Sequence, residues 1–273
     1  MNTTDLNTKT VMSKDGTTIT FDQYGAGPAL ILVPGGLQHR AFDQDTAELA
    51  ALLAPHFTVF HYDRRGRGDS TDTLPYAVER EIEDLEALID YAGGSAYLFG
   101  ISSGAALAME ASIMLGSKIR KIVMYEAPYD AAKTTREAWV AYTRELRDLL
   151  AADRRSDAVS LFLTLLGTPA EELQQFSHAP VWPLFEAVAP TLAYDAAILG
   201  EEANIPTERA SQVKTPTLLM AGGAPSPYME AMHETVKSLA QAMPHAQTRI
   251  LEGQNHFVES HILAPVLIEY FNA

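Results

Sequence analysis

The sequence predicts an α/β fold, a mostly parallel sheet with helices on both faces and a separate helical insertion. Three observations carry that expectation. Apolar runs of strand length alternate with amphipathic helical stripes from about residue 29 to 125, the pattern of successive βαβ units. The alternation resumes after Thr215-Pro216. Between them, from 129 to 212, strand signals vanish and helical periodicity takes over. The expected division is a core of 1–128 and 213–273 with a helical cap of 129–212.

Along the chain, Lys9 to Ser13 and Thr17 to Tyr24 read as two strands joined at Asp15-Gly16, a hairpin turn signal. Ala29 to Val33 is continuously apolar, as expected of a strand covered on both faces. It runs into Pro34-Gly35-Gly36-Leu37, small residues that let a loop approach a ligand. Phe42, Leu49 and Leu53 have helical spacing, and Phe57 to Tyr62 is the next strand. The loop Asp63-Arg64-Arg65-Gly66-Arg67-Gly68-Asp69-Ser70 is rich in arginine but lacks the lysine of a P-loop. It reads as a scaffold of Asp63 and Arg64 hydrogen bonds rather than an anion site. Val78, Ile82, Leu85 and Ile89 form one helical stripe, Ser95 to Phe99 a strand, and Ile119 to Tyr125 another.

In the insertion, Trp139, Tyr142, Leu146 and Leu149 make one stripe and Ala158, Phe162 and Leu165 a second. Thr168-Pro169 is a helix start with Thr168 as the expected N-cap. Beyond it, Thr217 to Ala221 is a strand, and Met232 to Met243 a helix that Pro244 stops. Thr248 to Leu251 is the last strand, followed by a final helix with Pro265 near its start.

The chain of 273 residues, 47% hydrophobic, is long enough for one large domain with an insertion. Its net charge of −15 argues against nucleic acid, an anionic membrane or a polyanionic substrate. With no cysteine there is no disulfide, no thiolate nucleophile and no cysteine metal site. Met1 to Thr10 is polar, unlike a signal peptide, and no stretch is long enough to span a bilayer. A cytoplasmic protein is expected. Asn2-Thr3-Thr4 and Arg67-Gly68-Asp69 match a glycosylation sequon and an adhesion tripeptide; without a secretion signal both read as chance.

The stretch that points to chemistry is Tyr97-Leu98-Phe99-Gly100-Ile101-Ser102-Ser103-Gly104-Ala105-Ala106. A strand, Gly-x-Ser-x-Gly and a small-residue helix make a sharp turn that strains Ser102 and exposes its hydroxyl. The same turn aims the Ser103 N–H at the place where an oxyanion would form. Ser102 needs a base, and eight histidines compete. His56 and His61 flank a mid-sheet strand, His178 belongs to the cap, and His233, His245 and His261 fall on or beside surface elements. His39 lies beside the glycine loop, where it could touch substrate. His256 alone sits in a loop just past the carboxyl end of a late strand, the edge that carries Ser102.

In its strand order, its Gly100–Gly104 elbow, its cap position and the late His256, the chain resembles the α/β-hydrolase family over nearly its whole length. Most members carry the acid after the strand that follows the cap. Here that strand runs into Gly222-Gly223-Ala224-Pro225-Ser226-Pro227, with no carboxylate before Glu230. A branch of the family carries it after the strand that follows the nucleophile, which here ends in Tyr125-Glu126-Ala127-Pro128. Glu126 is the assigned acid, with Asp130 and Glu230 as alternatives. The resemblance also implies an oxyanion hole of the Ser103 and Gly36 amides, or Leu37 in place of Gly36. Pro34-Gly35 stands where many relatives have His-Gly.

The implied protein is a serine hydrolase, without cofactor or metal, that cleaves a small hydrophobic carboxylic ester or lactone; a homodimer is compatible with the sequence. Leu37, His39, Trp139, Phe162, Trp182, Tyr228 and Phe257 are candidate substrate contacts. A perhydrolase of haloperoxidase type, a thioesterase or a carbon–carbon bond hydrolase would use the same three residues. A non-catalytic ligand receptor on the same fold is the remaining alternative.

Overall fold

The computed structural model describes residues 7–130 and 132–273; the Asn2 sequon lies outside them. Strands β1 (Asn7–Met12) and β2 (Thr18–Tyr24) pair antiparallel. In the turn between them the Thr17 N–H donates to Asp15 Oδ1 at 3.0 Å. Next come β3 (Ala29–Val33), α1 (Gln44–Leu53), β4 (Thr58–Tyr62), α2 (Val78–Tyr91), β5 (Ala96–Ile101), α3 (Ser103–Leu115) and β6 (Ile119–Tyr125). The helical segment then supplies α4 (Lys133–Ala151), α5 (Arg155–Leu165), α6 (Ala170–Phe176), α7 (Trp182–Val188), α8 (Leu192–Leu199) and α9 (Thr207–Ala210). β7 (Thr217–Gly222), α10 (Pro227–Ala242), β8 (Ala246–Leu251) and α11 (Ser260–Asn272) complete the chain.

The eight strands form one sheet in the order β1-β2-β4-β3-β5-β6-β7-β8. Only β1 with β2 and β2 with β4 are antiparallel; every other pair is parallel. Successive side chains of a strand point to opposite faces, so each apolar run feeds two cores. Leu30 and Leu32 pack with Leu49, Leu53, Leu267 and Phe271 of α1 and α11. Ile31 and Val33 pack on the other face with Leu85, Ala105 and Met109 of α2 and α3. That double burial is why the central runs carry no polar alternation.

Two local expectations are corrected. Thr168 does not cap a helix: α6 has Pro169 at its N-cap with no side-chain bond. The Thr168 N–H instead donates to the Leu163 carbonyl at 3.0 Å, closing the end of α5 after Gly167 at φ +89°. Pro265 lies inside α11, because the helix already begins at Ser260. Among the described residues no helix is long and apolar enough to cross a membrane.

The arginine-rich loop turns inward. Arg64, Arg65 and Arg67 are all buried and each is bonded to carboxylates. Arg65 reaches Asp84 at 2.7 and 2.8 Å and Asp15 at 2.9 Å, tying α2 to the β1–β2 hairpin. Burial alone would raise the Asp15 carboxyl, but hydrogen bonds from Arg65 and Thr17 outweigh it and lower it from 3.8 to about 2. A carboxyl depressed by folding stabilises above its unfolded pKa and loses that contribution as pH falls through the folded one. Asp15→Asn is therefore expected to flatten the dependence of stability on pH between about 4 and 2. Urea unfolding at stepped pH measures it, and unchanged slopes would contradict the assignment.

Candidate active site

β5 delivers the chain into α3 through a residue that most side chains avoid. Ser102 has φ 56° and ψ −130°, a conformation costing on the order of 1–3 kcal/mol. The surroundings hold it there. The Ser102 N–H donates to the Tyr125 carbonyl at 2.9 Å, and its own carbonyl accepts from Ala105 N–H at 2.9 Å. A Cβ on Gly104 would overlap the Val33 and Pro34 carbonyl oxygens, and one on Gly100 the Gly104 carbonyl. These two positions accept only glycine if helix and strands are to meet this closely. The Ser103 N–H opens α3 and so has no acceptor within the helix. The Gly36 N–H likewise meets no acceptor among the described residues.

At the end of the neighbouring strand, Glu126 also has positive φ, at 48°, and its N–H donates to Met220 O at 2.9 Å. Its side chain is fully buried. Oε1 accepts the Gly222 N–H at 2.8 Å, and Oε2 lies 2.7 Å from His256 Nδ1. The loop carrying His256 follows β8 and is pulled toward β6 by the Tyr125 hydroxyl, which donates to the Asn255 carbonyl at 2.6 Å. A carboxylate only accepts hydrogen bonds. The contact therefore requires the proton on Nδ1 and leaves Nε2 as the free ring nitrogen. The Tyr228 hydroxyl stands 3.3 Å from the same Nδ1; burial and then the Glu126 charge raise its phenol above the ordinary value. The structure brings Glu126 to His256, and neither alternative acid. Asp130 accepts the Ala132 N–H at 2.7 Å, and Glu230 is exposed in the first turn of α10.

Two cavities meet at Ser102. The first, about 360 Å³, lies under the helical segment and is lined by Gly36, Ser102, Ser103, Trp139, Phe162 and Tyr228, among others. The second, about 410 Å³, is lined by Gly36, Leu37, Ser102, Phe162, His256 and Phe257 with further apolar side chains. Gly36, Ser102 and Phe162 border both. Phe257, 79% exposed, stands at the mouth of the second.

Two expected substrate contacts are elsewhere. His39 is buried and lines neither cavity; its ring lies edge-on to Phe42 at 4.7 Å, and burial lowers its pKa and favours the neutral form. Trp182 faces the interior of the helical segment, where its Nε1–H donates to Ser156 Oγ at 2.9 Å and Glu186 Oε1 at 3.0 Å. Sequence reasoning also missed Tyr142 and Met232, which line the first cavity. Both sit on stripes it had found, but periodicity does not say which member of a stripe faces a void. It missed Asp195 too, which borders the same cavity. A lone carboxylate inside the apolar run Leu192–Leu199 was the available signal.

The sequence profile of the "Alpha/beta hydrolase family" matches residues 30–266. The chain is similar to an alpha/beta hydrolase of known structure from Sphaerobacter thermophilus DSM 20745. The two are 46% identical with a TM-score of 0.83, over 96% of this chain and 100% of that one. It also resembles the uncharacterized hydrolase YraK of Bacillus subtilis, 32% identical over 116 residues. That match covers 41% of each protein. A thermophilic esterase from Thermogutta terrifontis shares the fold at 18% identity and TM-score 0.68, over 97% of this chain and 98% of that one.

Proposed function

The chain belongs to the alpha/beta hydrolase family, and from that premise we propose that it is a serine hydrolase cleaving a small hydrophobic carboxylic ester or lactone. The observation that carries this reading is the 2.7 Å contact of His256 Nδ1 with the buried Glu126 carboxylate. It sits on the sheet edge where the strained Ser102 also stands. The Ser102 hydroxyl attacks the carbonyl carbon and passes its proton to His256 Nε2. The charge that develops on the carbonyl oxygen is received by the Gly36 and Ser103 amides. The tetrahedral intermediate collapses, the ester C–O bond breaks, and the leaving oxygen takes the proton from His256. Water then gives a proton to His256 and attacks the acyl-enzyme, and that proton returns to Ser102 as the acid leaves.

His256 borders only the second of the two cavities, so the leaving alcohol belongs there and the acyl group beside Trp139, Tyr142 and Phe162. A series of p-nitrophenyl esters of increasing acyl length, run beside lactones, tests the reading. Turnover that rises with apolar acyl size until the first cavity is full is the expected result. Absence of turnover together with no fluorophosphonate labelling of Ser102 would favour a ligand receptor instead.

A further inference from the structure

Resting on the hydrolase reading, we propose that Asp195, carried by α8 of the helical segment, positions both amides of the oxyanion hole, one through Arg67 and the other through the Ser103 hydroxyl.

The first arm runs through a peptide plane. The Arg67 guanidinium donates to the Gly35 carbonyl through Nη1. Leu74-Pro75 is the cis bond of the described chain, so Gly35-Gly36 is trans. The C=O and N–H of a trans peptide point in opposite directions. Anchoring the Gly35 oxygen on Arg67 therefore turns the Gly36 N–H away from the arginine. Gly36 borders both cavities, and Gly35 lies so close to Ser102 that a Cβ on it would stand 3.0 Å from the serine's own Cβ. Were the arginine free to swing, the peptide between two glycines could rotate and present its carbonyl oxygen, which would repel an oxyanion.

Arg67 does not swing, because Asp195 holds it. Nη2 donates to both Asp195 oxygens at 2.9 Å, and Nε donates to Thr191 Oγ1 at 3.0 Å, one residue before α8 begins. The second arm is direct: the Ser103 hydroxyl donates to Asp195 Oδ1 at 2.7 Å. This fixes the residue whose N–H is the other donor. One carboxylate from outside the sheet thus restrains both halves of the hole.

A buried negative charge near a developing oxyanion would ordinarily oppose the reaction. Here it is balanced. Arg64 donates to Asp195 Oδ1 at 2.7 Å and makes a two-pronged pair with Glu81, both bonds at 2.7 Å. Two arginines face two carboxylates, and all four side chains are buried. Burial alone would raise the Asp195 carboxyl, but Arg67, Arg64 and Ser103 together hold it below the usual range. The formal charges of the cluster sum to zero and its members are tied by several hydrogen bonds, so it can orient the two amides without adding a net charge beside the oxyanion.

The test uses Asp195→Asn and Arg67→Lys. The lysine keeps the charge but loses the planar fork that spans Gly35 and Asp195. For each full-length protein, kcat and KM are measured on the best ester of the series above, and affinity is measured for a trifluoromethyl ketone and the matching methyl ketone. The fluorinated ketone forms an oxyanion adduct with the serine, whereas the methyl ketone reports ground-state binding. A fall in kcat of about 10–100-fold is expected, part of the 10²–10³ typical for a lost oxyanion donor. KM and methyl ketone affinity should stay within about threefold, with trifluoromethyl ketone affinity falling in step with kcat. Equal losses on both ketones would mean a merely structural role and overturn the proposal, as would unchanged kcat. A wild-type protein that neither turns over esters nor binds the trifluoromethyl ketone overturns the hydrolase reading itself. If both variants fail to fold, a crystal structure of the wild-type adduct decides. The oxyanion on Gly36 N–H with Arg67 still on the Gly35 carbonyl supports the proposal, and a turned Gly35-Gly36 peptide overturns it.

Discussion

Replacing Ser102 with alanine is expected to lower kcat on a responsive ester by about 10⁶ while leaving the fold intact, the usual cost of losing a nucleophile that acts together with its base. The nucleophile we propose is Ser102 and not its neighbour, because the two serines have different employment. Ser103 Oγ is committed to Asp195 at 2.7 Å, and its side chain is enclosed. Ser102 borders both cavities and is held at φ 56° by backbone bonds alone. Its hydroxyl makes no structural contribution that alanine would remove. The thermal midpoint of Ser102→Ala should therefore match the parent protein, and fluorophosphonate labelling should vanish. Activity retained within tenfold, in material free of contaminating esterase, would remove Ser102 from the mechanism.

The second large effect concerns the acid. Glu126→Gln is expected to cost about 10²–10⁴ in kcat, and the structure supplies a reason beyond the lost charge. Glu126 Oε1 receives the Gly222 N–H at 2.8 Å, and a backbone N–H can only donate. In the glutamine variant the amide oxygen must stay on Gly222, so the NH₂ faces His256 Nδ1. That nitrogen must then accept, which moves the ring proton to Nε2 and leaves nothing there to receive the Ser102 proton. KM should change little, since Glu126 borders neither cavity. Asp130→Asn and Glu230→Gln serve as controls expected to cost far less in kcat than Glu126→Gln, because the first caps a turn at the wall of the first cavity and the second is solvent-facing. A loss at either comparable to that at Glu126 would reassign the acid.

Much of this architecture is legible in one dimension because its causes are local. The strand Ala29 to Val33 announces itself by five apolar residues in a row, since both its faces must be covered. The elbow is readable because a helix start this close to a strand admits only glycine at 100 and 104. No carboxylate lies between Gly222 and Pro227, which leaves Glu126 as the acid, and the same Gly222 is the donor that pins it. Where the reading failed, the cause was non-local. Trp182 and Trp139 look alike as aromatic residues of the helical segment, yet one turns into that segment's interior and the other lines the cavity that Ser102 borders. Which way each faces depends on how helices pack on one another, which spacing does not encode.

The alternation of strands and helices, the elbow at Ser102 and the small set of residues able to serve it all follow from short stretches of sequence. How residues far apart in the chain come to share a hydrogen bond follows from the packed fold alone. His256 meets Glu126 across 130 positions, and Arg67 meets Asp195 across 128. Apolar periodicity records burial, which each residue feels from its immediate surroundings. An ion pair such as Arg67 with Asp195 leaves no periodic trace, because a charged residue in a sequence looks the same whether its partner is water or a buried carboxylate. Only the folded packing, by withdrawing the water, makes the partner obligatory.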